Sequence, residues 1–369
     1  MSGDAARLEA CATTPPERRR QPGLAAPQGL SVRQGKRAGR PQKTMVCPTK
    51  AEQMSKYGIE PLGLAGLRTV PLRARGGKVR VADFASAYAK GGKWIESLPR
   101  ILAGESLRAV VARIAEARAR KRAILWGLGG HVIKCGLAPV LIDLMRRGYA
   151  TGFVLNGAAS IHDFEIALAG ATSEDVEAVL PDGRFGAAEE TGREMNEAIA
   201  AGARDGIGMG EALGRRLDQI AGVEFAEASL QVQAWRAAVP VTVHVAVGTD
   251  TPHMHPAADA AAIGSTTHHD FRLLCSLAAG LDGGGVYLNV GSAVVLPEVF
   301  LKAVSAVRNL GHPLKDFTTV NLDFLQHYRP RVNVVERPHA QAGGAGYALT
   351  GHHELMVPLI AACLIEQEA

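Results

Sequence analysis

The sequence predicts an α/β protein: a Rossmann-like, doubly wound, mainly parallel sheet with helices on both faces. Two observations carry this. From about residue 120 onward, short runs of apolar and β-branched residues alternate with stretches of helical periodicity. Small residues then recur directly after those runs, where such a sheet turns into its helices. With 369 residues, 47% of them apolar, the chain can bury a sizeable core.

The elements follow in order. Leu98, Ile101, Leu102, Leu107, Val110, Val111 and Ile114 recur at three- and four-residue spacings and predict a helix over 82–118. Residues 123–128 read as a strand, followed by a helix near 137–147. Residues 152–155 form a second strand, with a helix over 161–169. Helical patterns dominate 172–235, and 241–247 is a β-branched strand followed by a helix over 268–280. Strand 285–290 leads to a helix over 297–309, strands at 318–322 and 332–335, and a last helix at 353–366. No tandem repeat of fixed period is present.

Residues 1–44 carry nine Lys/Arg against Asp4, Glu9 and Glu17, a charge of +6 out of the chain's +5, so the body sums to −1. This Pro- and Arg-rich stretch has no apolar period, and residues 1–53 are expected to be a disordered extension of a single domain, 54–369. A near-neutral body gives no electrostatic support for nucleic-acid binding. No uninterrupted apolar run reaches the ~18 residues of a membrane span, and the N-terminus lacks the apolar core of a secretory signal. Cys11, Cys47, Cys135, Cys275 and Cys363 are odd in number and lack CxxC spacing. They read as reduced thiols of a cytoplasmic protein.

In doubly wound sheets, ligands bind beyond the carboxyl ends of the strands. The segments there are Gly127–Gly136 with Gly129, Gly130 and Lys134; Asn156-Gly157-Ala158 through Asp163; Thr249-Asp250; and Gly291-Ser292. Small residues let helix N-termini approach a phosphate, which points to a dinucleotide, although Gly127-x-Gly129 does not complete GxGxxG. His253 and His255, after a strand, have the alternation of a zinc pair, with Asp250 and Asp259 as carboxylates. No HExxH or cysteine pair supports that reading, and no metal ligand is assigned. Ser160 and Ser292 lie outside any GxSxG elbow.

Together these segments resemble deoxyhypusine synthase over roughly 120–365. Gly129–Gly136 stands where that family has a TSN-type loop, and Leu155–Asp163 where it has TTAGG and paired acids. Thr249-Asp250 resembles its TDG, Gly291–Val299 its GGGVVKHHI, Val320–Asp323 its INTA, and Gly351–Leu359 its final DASLVFPLL. The resemblance implies a Rossmann-like fold, a homotetramer, transferase chemistry on a polyamine, and NAD as cofactor with NADP left open. It also implies that Asp250 contacts the cofactor. The departures are specific. Residues 324–350 contain no lysine, only Arg329, Arg331 and Arg337 as cations, and arginine cannot form the family's enzyme imine. The family's HH pair is Pro297-Glu298 here, and its paired acids after TTAGG are Ile161-His162, with only Asp163 kept.

The expectation is therefore an NAD-dependent enzyme acting on a small amine or amino-acid-like molecule, not deoxyhypusine synthesis. The candidate catalytic residues are His162, His253 and His255 as proton carriers, since imidazole titrates near neutral pH. Glu298 joins Asp250 and Glu354 as a partner for a cationic substrate. Lys134 either contacts a cofactor phosphate or carries a relocated imine. Two other classes stay open: a metal-dependent hydrolase or lyase using His253, His255 and Asp250, and a non-catalytic nucleotide-binding protein.

Overall fold

The computed structural model describes residues 62–75, 78–220 and 223–368, so the predicted extension 1–53 lies outside the described residues. Residues 62–72 belong to a first unit, Met1–Leu72; everything below concerns the second, Arg73–Ala369. Among the described residues, no helix is long and apolar enough to cross a membrane.

Helix α1 (Leu102–Ala119) leads into β1 (Ile124–Leu128), followed by a one-turn helix α2 (Gly130–Lys134) and α3 (Ala138–Arg146). Strand β2 (Gly152–Asn156) runs straight into α4 (Gly157–Ala169). Helices α5 (Glu189–Asp205), α6 (Met209–Gln219) and α7 (Leu230–Arg236) precede β3 (Val241–His244). Then come α8 (Ala260–Ala279), β4 (Val286–Val290), α9 (Val295–Asn309), β5 (Thr318–Asp323), β6 (Ala345–Thr350) and α10 (His353–Ile365). The six strands form one sheet in the order β3-β2-β1-β4-β5-β6, and every neighbouring pair is parallel. This is the doubly wound Rossmann order, whose direction reverses between β1 and β4.

Strand side chains alternate between faces, and the core divides accordingly. Ile124, Trp126 and Leu128 with Phe153 and Leu155 join one apolar cluster, together with α1, α3 and α10. Leu125, Val154 and Tyr287 join the other, under α8 and α9. There the Tyr287 ring stacks flat on Phe300 with centroids 3.7 Å apart. The interior also holds a chain of amides. Asn289 Nδ2 donates to Asn321 Oδ1 (2.8 Å) and to the Ser292 carbonyl (2.9 Å). Asn321 Nδ2 donates to Gln326 Oε1, and Gln326 Nε2 to the Leu349 carbonyl, so the chain crosses β4, β5 and β6 near their carboxyl ends.

The predicted elements are corrected in four places. The helix expected over 82–118 is interrupted: residues 94–97 make a single turn, and α1 begins only after Pro99, whose ring disfavours helix in the preceding residue. Residues 157–160, read as loop, are the first turn of α4, because Asn156 caps it from the last strand position. Helix α8 starts eight residues early, with Asp259 accepting from the Ala261 and Ala262 amides; this carboxylate is a cap, not a ligand. The strand expected at 332–335 is a wide π-type turn, Arg331–Glu336, lying over the sheet. Val335 occupies the space where Gly346 would carry a Cβ, and the Val334 carbonyl accepts from Thr319 Oγ1. The sixth strand is instead Ala345–Thr350, a half-exposed edge poor in β-branched residues.

At the end of β3, His244 is buried, with its ring beside Thr242 Oγ1 at 3.0 Å. Burial pushes its pKa down to about 4. Between that value and the ordinary 6.5 the unfolded chain binds more protons than the folded one. The stability His244 confers is therefore complete above about pH 6.5 and is lost as pH falls toward 4. Urea denaturation across this range should show a shallower loss for His244→Gln than for the wild type, by roughly 2–3 kcal/mol.

Candidate functional site

Because every strand is parallel, the segments after β1, β2 and β3 emerge along one edge of the sheet. There they meet one face of α4 along its length, residues 171–176 and the start of α5 around a cavity of about 1020 Å³. Lys134, Ala158 and His162 line it, as do Thr249 and Asp250, so five of the residues predicted from sequence share one site. Glu165, Glu174, Glu190 and Glu194 add carboxylates, and among the described residues Lys134 is the only Lys or Arg in the lining. Leu168, Val176 and Phe185 supply apolar wall.

The carboxylates differ in commitment. Glu194 is held by Arg193 and Arg216. Glu174 accepts from the Gly186 amide. Glu165 accepts from Thr172 and Thr191 hydroxyls. Asp250 is only partly satisfied: Thr249 Oγ1 reaches Oδ1 at 3.4 Å, but the buried Oδ2 has no hydrogen-bond partner. Burial pushes its pKa up, against the lowering effect of His253 and the Thr249 bond. Its carboxylate lies directly over Gly157, so a Cβ there would push the Asp250 carboxylate aside. A carboxylate at a helix N-terminus is favoured by the exposed amides and the helix dipole.

His162 is set by its own neighbours. Its Nδ1 is 2.7 Å from Thr172 Oγ1, whose proton goes to Glu165. Thr172 Oγ1 must then accept from Nδ1–H, which leaves Nε2 as the free lone pair of a neutral imidazole. Burial lowers the His162 pKa; Glu165 raises it in part, and Lys134 and His131 lower it further. The ring is thus a neutral proton acceptor at pH 7.

Other predicted residues fall elsewhere. Asp163, expected at the cofactor, is fully buried on the opposite side of α4. It accepts from Ser229 Oγ and the Leu230 and Gln231 amides at 2.7–2.9 Å, and from Gln231 Nε2 at 3.3 Å. It ties the start of α7 to α4 and leaves no lone pair directed at the cavity. Asn156 is spent capping α4, accepting from the Ala159 amide. Gly129 packs against the Gly291 carbonyl, and Gly130 against Ala158, so these glycines bring strand ends together. Ser292 is buried and accepts from the Leu296 amide. Glu298 lies apart, bonded by Asn333 Nδ2 at 2.9 Å and flanked by Arg329 and Lys302.

His253 and His255 do not converge. Residues 251–254 form a 3-10 turn rather than an extended segment, which removes the alternation a zinc pair needs. His253 Nδ1 accepts from the Gly248 amide, while His255 Nε2 faces Glu189 at 3.3 Å. The metal centre built on these two with Asp250 is therefore not assembled. Nothing in the sequence marks Thr172 or Glu165 as partners; the bond between them crosses a loop that carries no pattern.

Asp163→Asn should cost about 2–4 kcal/mol in denaturant, the scale of orphaning buried donors and a helix cap. By NMR, His162 should titrate below 6.5. Glu165→Gln should lower its midpoint further, and Lys134→Met should raise it.

No known family profile matches the chain, and no curated protein matches it. Solved structures with partial likeness include ArgZ, a cyanobacterial arginine dihydrolase from the ornithine-ammonia cycle, at 15% identity and TM-score 0.44 over 73% of this chain. The chain spans about a third of that protein's length, 34%. A candidate LOR/SDH protein from Methanococcus maripaludis S2 has 15% identity and TM-score 0.45, covering 72% of this chain and 70% of that one. A candidate deoxyhypusine synthase from Entamoeba histolytica has 11% identity and TM-score 0.42, covering 72% and 88%.

Proposed function

We propose that the chain is a nicotinamide-dinucleotide-dependent enzyme acting on a small amine or amino-acid-like molecule in the cavity beside α4. The observation that carries this is His162, held neutral with Nε2 free, in a large, largely apolar cavity whose charged side chains are mainly carboxylates. An ammonium group is the natural ligand of such side chains, and Glu190 and Asp250 are the carboxylates least committed within the protein. His162 then takes a proton from the substrate, and Thr172 and Glu165 keep its ring turned and stabilise the imidazolium formed.

The residues fit a dinucleotide in two respects. Asp250 offers a buried, unpartnered acceptor for a ribose hydroxyl or a carboxamide, and Lys134 offers a cation to a pyrophosphate. The cavity volume lies at the upper end of the range for cofactor pockets. When bound, the nicotinamide supplies hydride exchange. The chain contributes ammonium binding, the proton acceptor and exclusion of water. Transfer through an imine in the deoxyhypusine manner has no lysine at its expected place within 324–350.

We also propose a homo-oligomer. Val79, Val81, Phe84, Tyr88 and Leu102 are all more than half exposed, and such an assembly would cover large apolar groups of this kind.

Calorimetry should detect NAD(H) or NADP(H) binding to the wild type, with Asp250→Ala weaker by about 1–3 kcal/mol. His162→Ala should bind the dinucleotide unchanged and lower kcat on an amine panel by about 10²–10⁴-fold. No dinucleotide binding by the wild type would overturn the assignment. Light scattering should give a mass above one chain of 38.8 kDa.

A further inference from the structure

A second cluster lies where α2 and the start of α10 meet, beyond the carboxyl ends of β1 and β6. His131 and Cys135 are four residues apart, on and just after α2, and so share one face of its turn. Glu354, in the first turn of α10, completes the group. One ligand atom from each residue (imidazole nitrogen, thiol sulfur, carboxylate oxygen) lies within 4.8 Å of the other two. Tetrahedral zinc bonds of about 2.0–2.3 Å put such atoms roughly 3.4–3.8 Å apart, so side-chain adjustment of about 1 Å closes the set. Among the described residues, no other group of three His, Cys, Asp or Glu side chains meets this spacing.

A separate observation points at the same place. His353 is 1% exposed, and neither ring nitrogen has a hydrogen-bond partner. Its ring centroid is 5.6 Å from that of His131, and its Nε2 is 3.6 Å from Asp323 Oδ1. An unpartnered buried imidazole is costly, and a bound water or ligand would satisfy it. Phe324 packs edge-on against both His131 and His353, which gives the cluster an apolar wall.

We propose that His131, Cys135 and Glu354 bind one zinc-type divalent cation with a coordination position left open. Mixed N, S and O donors select borderline ions such as Zn²⁺ over Mg²⁺ and Ca²⁺, which take oxygen alone. Three protein ligands with a fourth position for water or substrate is the pattern of a catalytic rather than a structural zinc. A water at that fourth position supplies the partner that His353 lacks. The site does not depend on a dinucleotide: its ligands stand outside the cavity lining.

The test uses the full chain, stripped with chelator under reductant. Zn²⁺ titration against a chromophoric competitor should give one equivalent per chain. Co²⁺ should give a thiolate-to-cobalt charge-transfer band that Cys135→Ser removes and Cys275→Ser keeps. His131→Ala and Glu354→Gln should weaken Zn²⁺ by more than about tenfold, since even outer partners of metal ligands carry that much. If Cys135→Ser does not fold, zinc-edge X-ray absorption of the wild type should show one sulfur at about 2.3 Å with nitrogen and oxygen neighbours. No Co²⁺ band, a band that survives Cys135→Ser, or a zinc shell without sulfur would overturn the site. Dinucleotide calorimetry on the same samples reads independently of these outcomes.

Discussion

The rotation of helix α4 about its axis depends on one buried carboxylate. Asp163 accepts four hydrogen bonds from residues 229–231 and so locks one face of α4 against the start of α7. Adjacent residues on a helix point about 100° apart, so fixing Asp163 inward fixes His162 outward toward the cavity. The same rotation lays Gly157 under the Asp250 carboxylate and carries Glu165 to Thr172. If α4 turned by half a residue, the acceptor, its orienting hydroxyl and the lining carboxylates would part.

The sheet separates two kinds of chemistry. On the side of β2 and β3 the strand ends open onto a broad cavity with carboxylates and a neutral imidazole. On the side of β5 and β6 lie imidazoles, a thiol and an aromatic wall. Helix α2 borders both, with Lys134 on the cavity and His131 on the other cluster. A single turn after β1 therefore faces two sites, as its place beside the direction change of the sheet allows.

Much of this was legible in the residues. Strands β1, β2 and β4 are mainly apolar runs buried on both faces, which announce themselves without alternation, and β3 and β5 are β-branched, with Thr and Val alternating or adjacent. Lys134, His162, Thr249 and Asp250 were legible because sites gather at parallel strand ends. The edge strand was not: Ala345–Thr350 is half exposed and pairs on one side only, so neither burial nor β-branching marks it. Val332 to Val335 imitate a strand because the π-type turn buries its valines against the same sheet. Asp163 and Asp259 looked like ligands because a cap and a ligand require the same carboxylate, and only the position of the amides separates them. The pairing of His131 and Cys135 with Glu354 joins distant segments, and nothing local encodes it.

The amides crossing β4 and β5 have a bearing on which alignments the sheet accepts. Asn289 and Asn321 are direct partners across the two strands. Sliding β5 by one residue would face Asn289 with Val320 or Leu322 and turn Asn321 into the opposite apolar layer, stranding both amides without water. Apolar strands alone tolerate several such alignments; a matched polar pair tolerates one. The two positions therefore behave as a single heritable unit: one amide exchanged for leucine is a defect, while both exchanged together is a repacked core.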